Sequence, residues 1–441
     1  MVYLLPVLLA ILTMLIYGIY KDVLNPAFIF TATFFVASAN LMSNVSIVGV
    51  TLHMETVFYI VFACIAFFIG TVITRSLIFK PGKRSFLHLN TRKEYNMNAP
   101  LLLVLLIFNS LSIVYILREV YSLTQRYAYY SGSLFGSLSV FAEVQKFGSI
   151  GLRVGTFSTT LTALLEAEAY VTGYIIVCNF VDRQKIKLLL ILCFATSFIS
   201  TFCQGSRGGV FILISLVFVY IMHDRRKRNT KRLGTKTLKK VVGAVLAAVV
   251  AFQIAGNVTG KTWHVPWYEY LSVYVGFPIY NLDVAITKGI PRSDIIGGAS
   301  FGGLYRNILP RLGINFQSYT AYTGKNGFLN LNGHNMGNVY TILKNLIADF
   351  GYVGAIFFIV VLGMLMQLLY NSALRDDKKI SMLQILFTHL LSCLAFSFFS
   401  NKICEAITVF HMAEFIFGYV WVILLTKKSK RRYRTNAFYI S

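Results

Sequence analysis

Two short motifs hold the residue types best suited to chemistry. In Gly-Ser-Arg-Gly-Gly (Gly205–Gly209), an arginine stands among glycines where one hydrophobic run ends and another begins. Arg207 would open a helix whose free N–H groups and positive dipole end already favour an anion, and the glycines would let a phosphate approach the backbone. An arginine at such depth is costly unless paired, hydrated or snorkelling to headgroups. Two readings follow, a diphosphate contact and a lipid-facing anchor. The second motif is the stretch Asn332–Gly354, NGHNMGNVYTILKNLIADFGYVG. His334 there is an imidazole able to take a proton from an attacking hydroxyl; the alternative is a structural histidine bonded to loop backbone. Asp349 stands near the start of the next apolar run and needs a partner, with Lys344 and Lys402 as candidates. Lys402 and Glu405 are further site candidates that can also simply pair with each other. Glu166, Glu168, His411 and Glu414 fall within apolar runs, where ionisable groups mark functional sites by default.

No Walker loop, Gly-x-Ser-x-Gly elbow or His-Glu-x-x-His pair occurs, and no acidic pair suited to a metal–nucleotide-sugar. Neither a metal nor a cofactor is therefore expected. The cysteines lack zinc spacing. Cys203 and Cys404 fall near one face, and a disulfide between them is geometrically conceivable.

The elements that must position these residues are membrane helices. The chain is 56% hydrophobic and only 13% charged, against roughly 25% charged in soluble domains; its mean hydropathy is +0.66. Runs of about 20 apolar residues match the hydrocarbon width. Such runs lie near Val2–Tyr20, Ala27–Val48, Thr56–Thr74, Ala99–Leu117, Ser158–Val181 and Leu188–Phe202. They continue near Gly208–Met222, Val241–Asn257, Ile347–Tyr370, Ser381–Phe399 and Ile407–Leu425. The expected class is an all-α polytopic membrane protein with about eleven transmembrane helices.

The net charge of +24 belongs to topology rather than to nucleic acid, which is not an expected partner. Most of the 41 lysines and arginines fall at Lys21, in Arg75–Lys93, at Arg183–Lys187, in Arg225–Lys240, at Arg375–Lys379 and in the tail after Leu425. The positive-inside bias then places these segments in the cytoplasm, the amino terminus outside and the basic tail 426–441 inside.

Two outside segments are unusually long, Arg118–Phe157 and Val258–Leu346, and connections beyond about 15 residues are usually functional. The first contains spacing for a short amphipathic helix and the aromatic run Tyr127, Tyr129 and Tyr130, suited to the interfacial belt or to a sugar groove. The second carries Trp263, Trp267, several tyrosines, and many glycines and asparagines. It also carries Lys261, Lys288, Arg292, Arg306, Arg311, Lys325 and Lys344 against Glu269, Asp283 and Asp294. Its Gly and Pro punctuation predicts short helices and turns folded against the bundle. Aromatic faces and amide groups are what a sugar needs.

Gly205–Gly209 opening a span, the Gly-His-Asn followed by Asn-Val-Tyr-Thr and Asp-Phe-Gly-Tyr-Val-Gly, and the two outside loops together resemble the Wzy-type O-antigen (oligosaccharide repeat unit) polymerases. Arg311 and Gly327 also match an arginine–glycine spacing seen in some members; the Arg118–Phe157 loop carries no matching motif. The resemblance implies a metal-independent, inverting, GT-C-like glycosyltransferase at the periplasmic face of the bacterial inner membrane. Its donor and acceptor would both be undecaprenyl-diphosphate-linked glycans, with membrane lipids around it and room for a chain-length regulator as partner. Arg207 would hold the donor diphosphate, Arg306 and Arg311 would help neutralise the leaving group, and His334 would be the general base. Two alternatives stay open: an O-antigen ligase acting on lipid A–core, and a lipid-linked glycan flippase, which would show internal pseudo-symmetry.

Overall fold

A computed structural model describes residues 1–77, 99–128, 132–147, 153–203, 209–228, 266–314, 328–376 and 380–435, with Lys239, Gly243 and Val250 as isolated positions. Helices α1 (Leu4–Tyr20), α2 (Pro26–Ser43), α3 (Val45–Val48), α4 (Met54–Leu77), α5 (Ala99–Ala128), α6 (Leu134–Phe147), α7 (Thr156–Val181), α8 (Leu188–Ser200) and α9 (Gly209–Arg228) lead. Then come α10 (Trp267–Val275), α11 (Phe277–Lys288), α12 (Gly302–Ile308) with a 3-10 turn at Leu309–Leu312, and a hairpin of β1 (Leu329–Leu331) and β2 (His334–Gly337). Helices α13 (Ile342–Arg375), α14 (Met382–Ala395), α15 (Lys402–Glu405) and α16 (Val409–Thr435) close the chain.

The protein is thus mostly helical. Among the described residues, five helices are long and apolar enough to cross a membrane: α2, α4, α5 over Ala99–Tyr127, α7 and α13. Shorter apolar helices are α1, α8, α14 and Val409–Leu424 of α16. Helices stand at every expected run except Val241–Asn257, of which only Gly243 and Val250 are among the described residues. Helix α5 runs past Leu117 to Ala128, because falling hydropathy marks where lipid ends and not where helix propensity does. The amphipathic segment expected after it is α6, which buries Leu138 and Phe141 against Ile116, Val120, Leu161 and Leu165.

The chain forms two compact units interleaved in sequence. The first comprises Met1–Ser85, Trp263–Arg375 and Leu390–Val409; the second comprises Phe86–Thr262, Asp376–His389 and Phe410–Ser441.

In the first unit, α4 and α13 approach until backbone meets backbone. A Cβ on Gly70 would collide with the Val360 carbonyl oxygen, and one on Gly363 with that of Phe67. Small residues permit this approach, and it matters most in lipid, where no hydrophobic force drives helices together. Phe30 of α2 stacks on Phe67 of α4 at 4.5 Å between ring centroids. Helix α2 is capped by the Asn25 side chain, which accepts from the Ala27 N–H at 2.9 Å, with Pro26 at the first position.

Polar contacts mark the two ends of this unit. At the Lys21 end, Tyr20 meets Thr71 at 3.0 Å, Asn25 donates to Gln367 at 3.0 Å and Tyr370 donates to Asp22. At the opposite end, reached by residues 44–54, Asn44 donates to Ser272 of α10 at 3.0 Å. The segment 266–288 and the hairpin are docked at that end.

Helix α13 is interrupted. Gly351 has φ 70° and ψ 178°, a conformation essentially restricted to glycine, so Ile342–Phe350 and the following residues form two helical pieces. A Cβ there would lie 2.5 Å from the Arg292 guanidinium. The second unit packs α5, α7, α8, α9 and α16 around Leu102, Val171, Tyr174, Leu190, Val219 and Val422. The N-terminus of α7 is held by Glu119 of α5, which accepts from the Gly155 N–H at 2.6 Å and from the Ser158 hydroxyl; a carboxylate there complements the helix dipole.

Candidate functional site

The hairpin places His334. Its turn residues Asn332 (φ 50°) and Gly333 (φ 84°) are both left-handed, and Leu331 pairs with His334 across them. Positive φ at both central residues is the type I′ pattern that Asn-Gly favours. Three contacts fix the hairpin to the bundle end. Asn332 donates to the Val48 carbonyl at 2.8 Å, and Asn281 of α11 donates to the carbonyls of Met336 and Val339 at 2.9 Å each. Gly337, at φ 75°, lets the strand lie on Val273 of α10, where a Cβ would come to 2.8 Å.

So held, His334 Nδ1 meets Glu269 Oε1 at 2.8 Å. Glu269 lies in the first turn of α10 and is buried, whereas the His334 side chain keeps 29% exposure. A carboxylate facing Nδ1 keeps the proton on that nitrogen, which donates, and leaves Nε2 as an acceptor. This arrangement suits a general base: one face of the ring is oriented, the other is open to an incoming hydroxyl. The partner of His334 is therefore a side-chain carboxylate, not the loop backbone considered as the structural alternative.

A second histidine–carboxylate pair lies at the same end. The buried Asp283 of α11 accepts from the His53 backbone N–H at 3.0 Å and meets His53 Nδ1 at 2.8 Å. The hydrogen bond to Asp283, and then its negative charge, hold the exposed His53 above the ordinary imidazole range.

The remaining sequence candidates fall in different places. Arg207 lies outside the described residues. Arg306 and Arg311 are exposed on α12 and on the turn that follows it. Asp349 is not partnered as expected by Lys344 or Lys402. It accepts from the backbone N–H groups of Ala299 (2.9 Å) and Ser300 (2.7 Å), fastening the loop 293–300 to α13. Lys344 instead lies over the Tyr340 ring at 3.4 Å, and Lys402 pairs with Glu405. Cys203 and Cys404 are both free thiols.

Sequence reasoning named Glu269 and Asp283 only as loop acids and passed over His53. Glu269 and His334 are 65 positions apart, so no spacing rule joins them. The Asn-Gly turn before the histidine was the available signal, since it predicts a hairpin that turns His334 back toward the preceding helices. Arg292 was read as one basic residue among several; its place against Gly351 follows from the helix break.

None of the known protein families, curated proteins or solved structures compared with this chain matches it.

Proposed function

We propose that the protein polymerises lipid-diphosphate-linked oligosaccharide repeat units, as the resemblance to Wzy-type O-antigen polymerases implies. The observation that supports this reading is the Glu269-oriented His334 at the loop-bearing end of the first unit. In this reading that end faces the periplasm and the Lys21 end faces the cytoplasm of a bacterial inner membrane. The bundle is then a GT-C-like one of about eleven spans, with the amino terminus outside and the carboxyl terminus inside.

The chemistry follows from the partners. His334 Nε2 takes the proton of the acceptor sugar hydroxyl, whose oxygen attacks the anomeric carbon of the donor. The bond from that carbon to the diphosphate oxygen breaks with inversion, and undecaprenyl diphosphate leaves with the electron pair. Negative charge grows on the leaving group, and preorganised cations beside a low-dielectric boundary stabilise it. Arg207, Arg306 and Arg311 are the cations assigned to that task. An O-antigen ligase would use the same base and the same leaving group, and differs in its acceptor, lipid A–core.

The test is a complementation experiment in a strain lacking the gene. His334→Ala or Arg207→Ala should insert normally and yield glycan of one repeat unit with no long polymer. A general base is typically worth about 10²- to 10⁴-fold in rate, enough to erase a polymer ladder. Full-length polymer from both variants would remove these residues from the mechanism, and loss of every lipid A-linked glycan in the deletion strain would favour the ligase. Reporters fused after Thr230 and after Lys288 should read cytoplasmic and periplasmic; the reverse would overturn the threading.

A further inference from the structure

The second unit contains a polar group that the reading above does not use. On α7, Glu166 faces Glu414 of α16, close enough for their carboxyls to share a hydrogen bond. Glu414 is buried, and its Oε2 meets His411 Nδ1, one turn earlier on the same helix, at 2.9 Å. Its other oxygen, Oε1, is buried with no hydrogen-bond donor. What faces Glu414 is a second carboxyl, which as a carboxylate offers only lone pairs. Two ionised carboxylates in such a place repel each other, and an unsatisfied buried acceptor is costly.

A cavity opens beside Glu414. It has a volume of about 10 Å³, the size of one water. Its walls include Ala167, Tyr170, His389, Glu414, Phe415 and Gly418. Among the described residues two histidines stand near the pair. His411 is on Glu414's own helix; from α14, His389 holds the Tyr170 hydroxyl at 2.6 Å and lies 6.0 Å from the His411 ring. Along α7, Glu168 is turned away to Asn109 of α5, which donates to it at 2.9 Å. Among the described residues no three His, Cys, Asp or Glu side chains converge to hold a metal ion. The missing positive charge is then the smallest one.

We propose that Glu166 and Glu414 form an intramembrane proton-binding site, occupied at neutral pH by one proton that the two carboxyls share. Water in the cavity supplies the proton. Glu166 carries it as a neutral acid and donates to Glu414 Oε1, Glu414 stays an anion, and the neutral His411 donates from Nδ1 to Oε2. The pair then has a net charge of −1 and every facing oxygen of Glu414 has a donor. Proton occupancy thereby becomes a property that the second unit can exchange with water.

Infrared spectroscopy of the full-length protein in lipid nanodiscs tests this directly, through the C=O stretch that only a protonated carboxyl shows. The wild-type protein at pH 7 should show such a band, unchanged between sodium and potassium buffers and lost on raising the pH. Glu166→Gln and Glu414→Gln should each remove it, by one carboxyl equivalent per chain, while Glu168→Gln leaves it in place. Absence of the band from wild-type protein at pH 7 overturns the proposal without any variant having to fold. Its loss in sodium buffer would assign the site to an alkali cation instead, and its loss only in Glu168→Gln would assign the proton to the wrong acid; either result also overturns it.

Discussion

The two units treat their ionisable groups in opposite ways. At the loop-bearing end of the first unit, each carboxylate that matters has found its donors: Glu269 has His334, Asp283 has His53 twice over, and Asp349 has two backbone amides. These pairs form between segments far apart in sequence, and they hold loops in place. In the second unit Glu166, Glu168 and Glu414 sit within helices, and Glu414 Oε1 is buried without a donor. A completed pair near an open end is a positioned reagent, whereas an incomplete one inside a helix bundle is a receptor for whatever completes it. The same substitution, carboxyl to amide, should therefore damage one unit and spare the other.

The first unit depends most heavily on the α4–α13 contact, so the largest effect is expected there. Gly363→Leu forces a side chain into the Phe67 backbone, which cannot rotate aside as a side chain could. Overpacking costs about 1–3 kcal/mol and occasionally more, and a rigid obstacle puts this site at the upper end. The yield of monodisperse protein and its unfolding temperature should both fall sharply. Gly18→Ala is the matched control, because a Cβ there meets nothing within 4 Å. Equal damage from both would mean that α4 and α13 are not tightly locked.

Next in size is the amide exchange itself. Glu269→Gln keeps the shape of the His334 partner and removes its charge, so in the proposed mechanism the imidazolium formed during proton transfer loses its stabilisation. The proposed polymerisation should then slow by about 10- to 100-fold, that is about 1.4–2.7 kcal/mol in the barrier, with the acceptor KM little changed. Glu414→Gln gives the orphaned site a donor of its own, and its unfolding temperature should hold or rise. If Glu269→Gln were silent while Glu414→Gln unfolded the protein, the contrast between the units would be reversed.

Much of the helical framework was legible in the sequence, for a simple physical reason. A run of apolar residues in a weakly charged chain leaves its backbone groups no solvent partner except one another, so the runs became helices. The short helices among the described residues of the long loop were legible too, from its Gly and Pro punctuation, but the hairpin was not. What stayed hidden were contacts made across the chain. Asp349 was matched to lysines because charge is visible in a sequence, yet its partners are the N–H groups of Ala299 and Ser300, which every residue but proline possesses. The break at Gly351 was equally invisible, since a glycine in an apolar stretch reads as a tolerated helical position until its φ is seen. His334 was identified from its setting; Glu269 emerged only from the fold.

The smallest effect separates the two histidine pairs of the first unit. Since Asp283 raises the His53 pKa in the folded protein, the contact contributes stability in full below the unfolded value of about 6.5. That contribution is lost as pH rises through the higher folded value. The loop 49–53 should accordingly loosen on the alkaline side of neutrality, while the hairpin carrying His334 stays fixed by Asn281 and Asn332. Carbethoxylation, which modifies only neutral imidazole, should report a His53 midpoint above about 6.5 in wild-type protein and near that value in Asp283→Asn. A wild-type midpoint at or below the ordinary one would show that solvent at this exposed site screens Asp283 almost completely. The part-buried His334–Glu269 pair would then be the one histidine–carboxylate contact of the two with energetic weight.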